Sequence, residues 1–342
     1  MKNTENKIYP LLFNPIFRST IWGGDKILAY RGAGSEKLTY ELQGEKIGES
    51  WELSGVTGFE SVVANGPFKN MPLSRLIAEY KEKLVGGKNY KRFGTKFPLL
   101  VKYIDAANDL SIQLHPGEEL ARSRHNSSGK DEMWYVLQAD EGASLMAGFH
   151  GEITENEYHK ALKENNLASI LEKYRIKPHD VFYLPSGCIH SIGAGSFVLE
   201  IQQASEDITY RLYDFDRTDK NGKKRELHID LAEKAIDYSI KGGCKVEREG
   251  RDSSLIECEW FTVDLLNILE GTFNYDYSKY DSFVVMICVR GASVIKPGGE
   301  ERCEPYEDIS ILQGDVILLP SSLGSVIIEP ASEGVDFITV RV

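Results

Sequence analysis

Histidine is scarce in this 342-residue chain: the seven lie at 115, 125, 150, 159, 179, 190 and 228, none in the last third. Two of them sit beside other metal-ligating residue types. In SIQLHP (111–116), Gln113 and His115 are two apart, so on a strand both point to one face. Glu132 opens a following strand in KDEMW (130–134), and His190 opens another just after the proline–glycine turn of PSGCIHS (185–191). Two imidazoles and a carboxylate make an ordinary divalent-metal set, and the Gln113 carboxamide oxygen can add a neutral fourth ligand. On residue type alone Zn²⁺, Fe²⁺, Mn²⁺ and Co²⁺ all suit. His125, His150, His159, His179 and His228 fall in turns or on helix faces and read as surface residues. Lys102 stands out for another reason. It interrupts the apolar strand LLVKYI, where a charge needs a cause.

The elements that must position these groups are mostly short strands. The runs 97–104, 133–138, 181–184, 197–203, 284–289 and 316–319 are β-branched or aromatic and bounded by Gly, Pro, Asp or Ser. Helices read as insertions. Leu73, Leu76, Ile77, Tyr80 and Leu84 recur at helical spacing over 73–84, and Thr154 with Glu157 forms a capping-box signature for a helix over 154–173. The segment 228–240 also reads as helix, and the glycine- and charge-rich 241–252 as a linker. Trp22, Trp51 and Trp134 read as core aromatics, with the wall of a cleft as the alternative.

An internal repeat divides the chain. PHDVFYLPS (178–186) is echoed by QGDVILLPS (313–321), and EGAS (141–144) by RGAS (290–293), in the same order. A strand, a glycine turn and a later G-D-x-x-x-x-P is the layout of the cupin barrel, a jelly-roll relative. The expected fold is therefore mainly β: two cupin-type (jelly-roll) β-barrel domains with helical insertions. Residues 1–245 are expected to form the catalytic, metal-binding domain and 246–342 a degenerate cupin-like domain. His190 lies five residues after Pro185, whereas Ser325 lies five after Pro320, so a histidine metal site belongs to the first copy.

Composition excludes several function classes. Length alone suggests two domains, at roughly 150 residues each. Forty Lys and Arg against 52 Asp and Glu give a net charge of −12, the wrong sign for a nucleic-acid surface. No apolar run approaches the roughly 18 residues of a membrane span. The five cysteines (188, 244, 258, 288 and 303) are scattered, without a C-x-x-C pair, and read as free thiols of a cytoplasmic protein. The broken apolar stretch near the start carries no secretory pattern.

Long ordered blocks carry a family resemblance. FNPIFRSTIWGG (13–24), IGESWELSG (47–55), FPLLVKYIDAANDLSIQLHP (97–116), GKDEMWYVL (129–137), LPSGCIHSIGAG (184–195) and EIQQASEDITYRLYDFDR (200–217) resemble the type I mannose-6-phosphate isomerases, in the short bacterial form of this zinc-dependent cupin family. The resemblance implies one zinc per chain, held by Gln113, His115, Glu132 and His190. It implies Lys102, Lys130 and Arg211 as the cationic groups of the active site, and Ser111 beside the substrate phosphate. The implied partner is a small sugar phosphate, with no nucleic acid and no membrane. The implied reaction moves a proton between C1 and C2 through an enediol or enediolate. For the base, the candidates are a lysine, a metal-bound water, or Asp214 and Asp216, although YDFDR reads equally as a salt-bridged turn. Competing readings are isomerisation of another sugar, a sugar-binding cupin and a metal-dependent dioxygenase.

Overall fold

The computed structural model describes residues 8–32, 44–205, 208–218, 221–247, 253–298, 308–331 and 333–342. The first twelve strands are β1 (Leu11–Leu12), β2 (Ile16–Gly24), β3 (Ile47–Ser54), β4 (Leu99–Ala106), β5 (Ile112–Leu114), β6 (Glu132–Ala139), β7 (Ser144–Phe149), β8 (Leu171–Arg175), β9 (Val181–Leu184), β10 (His190–Ile192), β11 (Ser196–Gln203) and β12 (Tyr210–Tyr213). Nine follow: β13 (Ser254–Glu257), β14 (Thr262–Ile268), β15 (Phe273–Asp276), β16 (Val284–Arg290), β17 (Ala292–Pro297), β18 (Ile309–Leu312), β19 (Val316–Leu319), β20 (Ser325–Pro330) and β21 (Val335–Arg341). The fold is mainly β, as expected, in four antiparallel sheets. Their orders are β2-β3-β4-β11-β6-β9, β12-β5-β10-β7-β8, β1-β19-β16-β21-β14-β13 and β15-β20-β17-β18.

The strand orders establish the repeat that two short sequence blocks only suggested. β4-β11-β6-β9 becomes β14-β21-β16-β19, and β5-β10-β7-β8 becomes β15-β20-β17-β18, with no change of permutation. Within each half the two sheets share an apolar interior, and the two six-stranded sheets bury their outer faces against each other. Pleating explains the division of labour along a strand. In β11, Phe197, Leu199 and Ile201 pack between the halves, while Val198 and Glu200 face the first interior. In β4 the same alternation sends Val101 and Tyr103 to one side and Lys102 and Ile104 to the other. The first strand does not stay with the first half: Leu11 and Leu12 pair with Leu318 and Ile317 of β19.

Helices occupy α1 (Lys26–Arg31), α2 (Leu73–Tyr80), α3 (Glu82–Val85), α4 (Gly87–Phe93), α5 (Glu118–His125), α6 (Glu155–Lys163) and α7 (Ile229–Glu233). Several sequence boundaries need correction. The expected helix 73–84 is two helices, broken at Lys81, whose φ of 49° lies in the left-handed region. The helix expected to reach 173 carries its capping box at Thr154 but ends at Lys163, because Asn165 turns left-handed at φ 52°. Leu171–Arg175 then pairs with β7 as a strand. Of 228–240 only Ile229–Glu233 is helical. The expected linker is tied down over its described part: Gly242 N–H donates to Phe149 O at 2.8 Å and Val246 N–H to Val181 O at 2.8 Å. Residues 248–252 of that linker, Cys303 and residues 1–7 of the chain start lie outside the described residues. Cys188, Cys244, Cys258 and Cys288 are free thiols. No described helix is long and apolar enough to cross a membrane.

Candidate active site and metal centre

Strand register brings the sequence-distant ligand candidates together. His190 is paired directly with Gln113 across β10 and β5, and Gln113 is paired on its other side with Arg211 of β12. Glu132 enters from the facing sheet at the first position of β6. The ligand atoms of His115, Glu132 and His190 lie within 4.8 Å of one another, and all three side chains are buried. His190 Nε2 is 3.3 Å from Glu132 Oε1, and His115 Nε2 is 3.5 Å from Glu132 Oε2.

The hydrogen bonds behind the cluster fix which atoms face inward. His115 Nδ1 lies 2.8 Å from Ile208 O, and His190 Nδ1 lies 3.0 Å from Cys188 O. A carbonyl only accepts, so both Nδ1 atoms carry the proton and both Nε2 lone pairs point into the site. Glu132 Oε1 is buried without a hydrogen bond among the described residues. An orphaned carboxylate oxygen beside two inward lone pairs is a donor set that suits a divalent ion. Gln113 borders this set: its carboxamide nitrogen is 3.5 Å from His190 Nε2, and Ser111 Oγ donates to Gln113 Oε1 at 2.9 Å. Turning the amide over brings Oε1 inward, and the Ser111 hydroxyl then accepts instead of donating. Gln113 can therefore join as a fourth ligand, with Ser111 orienting it.

Charge supports the same protonation states. Burial, reinforced by the Lys130 and His190 charges, pushes His115 well below 6.5. Burial and Lys130 also lower His190, although Glu132 opposes them. Burial alone would raise Glu132, but Lys130 and His190 outweigh it and hold the carboxyl below 4.5. All three groups bind fewer protons folded than unfolded, so their stabilisation is present above the unfolded values and lost as pH falls. Each histidine kept neutral costs about 1.4 kcal/mol per pH unit below its unfolded value. Metal-free protein is thus expected to melt at a clearly lower temperature at pH 5 than at pH 7. Scanning calorimetry across that range checks it, and a flat profile contradicts the assignment.

Among the described residues, the cations Arg18, Lys102, Lys130, Arg211 and Arg225 line a cavity of about 340 Å³ at this centre. Lys130 Nζ bonds Glu132 Oε2 at 2.7 Å and His115 Nε2 at 3.0 Å, and it is buried, which its polar-turn sequence did not signal. Lys102 Nζ is 2.9 Å from Glu200 Oε1 and 3.9 Å from Glu49 Oε2. Glu200 also accepts from Trp134 Nε1 at 2.9 Å. Arg18 stacks over Trp51, 4.7 Å from its ring centre. Trp22 and Trp134 are buried and also wall the cavity, so both expected roles, core and cleft wall, meet in them.

Other expected positions fall outside the centre. Asp214 is the acceptor of a two-armed bond from Arg225, at 2.7 and 2.5 Å, and also pairs with Arg217 at 2.6 Å. Asp216 pairs with Lys224 on the surface, and neither aspartate lines the cavity. YDFDR is a salt-bridged turn. His150, His159 and His179 are exposed as expected. His125 and His228 are partly covered rather than fully exposed, His125 against the Tyr210 hydroxyl and His228 against the Arg211 backbone.

The second half shows what remains when this chemistry is lost. Register aligns Gln113 with Asp276, Glu132 with Val284 and His190 with Ser325, and places Ser278 where His115 stands. Lys102 aligns with Asp264 and Glu200 with Thr339. The space is filled by Tyr277, Met286, Cys288, Ile317 and Phe337, all buried.

Known proteins match this architecture from end to end. Residues 11–154 match the model of the phosphomannose isomerase type I catalytic domain. The chain is 35% identical to Bacillus subtilis mannose-6-phosphate isomerase ManA over 330 residues, covering 95% of this chain and 97% of that one. It is 39% identical to the Streptococcus mutans mannose-6-phosphate isomerase over 323 residues, covering 92% and 94% respectively. The crystal structure of the B. subtilis mannose 6-phosphate isomerase superposes with a TM-score of 0.83 at 29% identity, covering 98% of this chain and all of that one. The chain is an enzyme and belongs to the type I phosphomannose isomerase family.

Proposed function

We propose that this enzyme interconverts mannose 6-phosphate and fructose 6-phosphate by proton transfer between C1 and C2 through an enediolate. Zinc would be held by Gln113, His115, Glu132 and His190, a set of two imidazoles, one carboxylate and one carboxamide in keeping with its ligand preferences. When bound, the metal supplies Lewis-acid stabilisation of developing oxyanion charge. The observation that carries the reading is one cavity, in a chain of net charge −12, lined by Gln113, His190 and the cations Lys102, Lys130 and Arg211, with His115 and Glu132 clustered behind His190. A binding protein for neutral sugars has no use for buried cations of that kind.

The chain's own groups then divide the work. One of Lys102 and Lys130 would act as the free amine, taking the proton from one carbon and returning it to the other, while the ammonium hydrogens of its neighbour neutralise charge on the adjacent sugar oxygens. Their acidic neighbours Glu200 and Glu132 fix both ammonium groups in place before substrate arrives. Arg211 holds substrate anion, with a guanidinium geometry suited to phosphate. Ser111 assists through its hydroxyl beside Gln113. Trp22 and Trp134 exclude water along one wall. Residues 1–245 make the catalytic unit in this reading, and 246–342 a copy relieved of chemistry. A cytoplasmic location suits the free thiols.

A coupled assay separates this reading from isomerisation of unphosphorylated sugars. Mannose 6-phosphate is expected to exceed mannose in kcat/KM by at least about 10³, because the neutral sugar forgoes the charge-assisted bonds that a phosphate makes to the cavity's cations. Equal turnover of mannose contradicts the substrate assignment.

A further inference from the structure

Arg211 sits on an exposed edge. β12 ends its sheet, so only one side of Arg211 is paired, with Gln113 of β5. The other side is closed by three bonds from a segment just before α7. His228 Nδ1 accepts the Arg211 backbone N–H at 3.1 Å, and the His228 backbone N–H donates to Arg211 O at 2.8 Å. Arg211 Nη1 donates to Glu226 O at 3.0 Å. Residue 228 thus behaves as a one-residue strand in which an imidazole nitrogen replaces the missing carbonyl. The same segment delivers Arg225, whose guanidinium is clamped by Asp214 and also lines the cavity.

The bond pattern sets the tautomer. Because Nδ1 of His228 accepts, its neutral ring must carry hydrogen on Nε2, the reverse of His115 and His190. Burial and the Arg211 charge keep this ring below 6.5, in the form that accepts.

We propose that His228 is a positioning residue for the isomerase reaction: its unprotonated Nδ1 completes the edge of β12 and so aims the Arg211 guanidinium at the cavity. The inference rests on the reading above that Arg211 holds substrate. His228 does not line the cavity, so it acts through what it holds, the Arg211 strand edge to which it bonds directly.

Two substitutions separate positioning from bulk. His228→Asn keeps an acceptor at the place of Nδ1, whereas His228→Ala removes it. The alanine variant is expected to lose about tenfold to a hundredfold in kcat/KM for mannose 6-phosphate, as for a misplaced binding group. The asparagine variant is expected to recover to within about threefold of wild type, with matched melting temperatures confirming that both fold. Nitrogen-15 spectra of the wild-type imidazoles provide a test independent of turnover: His228 should show the Nε2–H tautomer, and His115 and His190 in metal-free protein the Nδ1–H tautomer. Wild-type activity in the alanine variant, an asparagine variant as impaired as the alanine one, or an Nδ1–H tautomer at His228 each overturns the proposal. A wild-type protein inactive on mannose 6-phosphate instead refutes the function proposed above, and the tautomer then decides the His228 assignment alone.

Discussion

Replacing His190 by alanine is expected to remove both the metal and turnover, whereas replacing Ser325 by alanine removes neither. The two residues occupy one topological position, each opening a corresponding strand after a Leu-Pro-Ser turn. Only the first has an inward Nε2, held by Nδ1 on Cys188 O and backed edge-on by Trp134 at 5.4 Å between ring centres. Losing it leaves Glu132 Oε1 without its nearest neighbouring ligand, so activity should fall by at least about 10³. Ser325 lies among residues that fill space, and its loss should stay within about 0.5 kcal/mol of wild-type stability. Metal content, melting temperature and turnover of both purified variants check this. Equal damage from the two would contradict the account of a copy relieved of chemistry.

Stripping the metal from the wild-type protein is expected to abolish turnover without unfolding the chain. Lys130 is the reason. Its ammonium already bonds Glu132 and the inward lone pair of His115, so a positive charge remains against the buried carboxylate when the metal is gone. A buried carboxylate stripped of any counter-charge would cost several kcal/mol; here the cost is met within the site. Loss of rate after chelation therefore reports lost chemistry, and zinc should restore it.

The ligand candidates were legible because their types are rare and strand spacing fixes their faces. Lys102 was legible for a related reason, as one charge in an otherwise apolar strand. The same rule applied to SFVLEIQQ singles out Glu200, the acid that meets Lys102 at 2.9 Å. Arg18 and Arg225 carry no such mark. Arg225 sits in a polar loop, NGKKREL, where any of three cations reads alike, and only its bond to Asp214 brings it to the cavity.

Element types were easier to read than their ends. Lys81 stops a helix through left-handed backbone that a lysine does not announce, whereas Asn165 is of a residue type that takes this conformation readily. His228 looked like a surface histidine because its partner is a backbone N–H, which leaves no trace in side-chain pattern. The repeat and the absence of histidines from the second copy were visible in sequence, but the loss of Gln113, Glu132 and Lys102 there needed strand register, which sets Asp276, Val284 and Asp264 in their places.

The central claim is that the His115, Glu132 and His190 cluster holds a metal on which turnover depends. One titration tests it most directly: chelator added stepwise to purified enzyme, with bound metal and mannose 6-phosphate turnover measured on the same samples. The account predicts one zinc per chain at the start, activity falling in proportion to metal, an unchanged far-ultraviolet circular dichroism spectrum, and recovery on adding zinc. Full turnover in protein shown to be free of metal would contradict it.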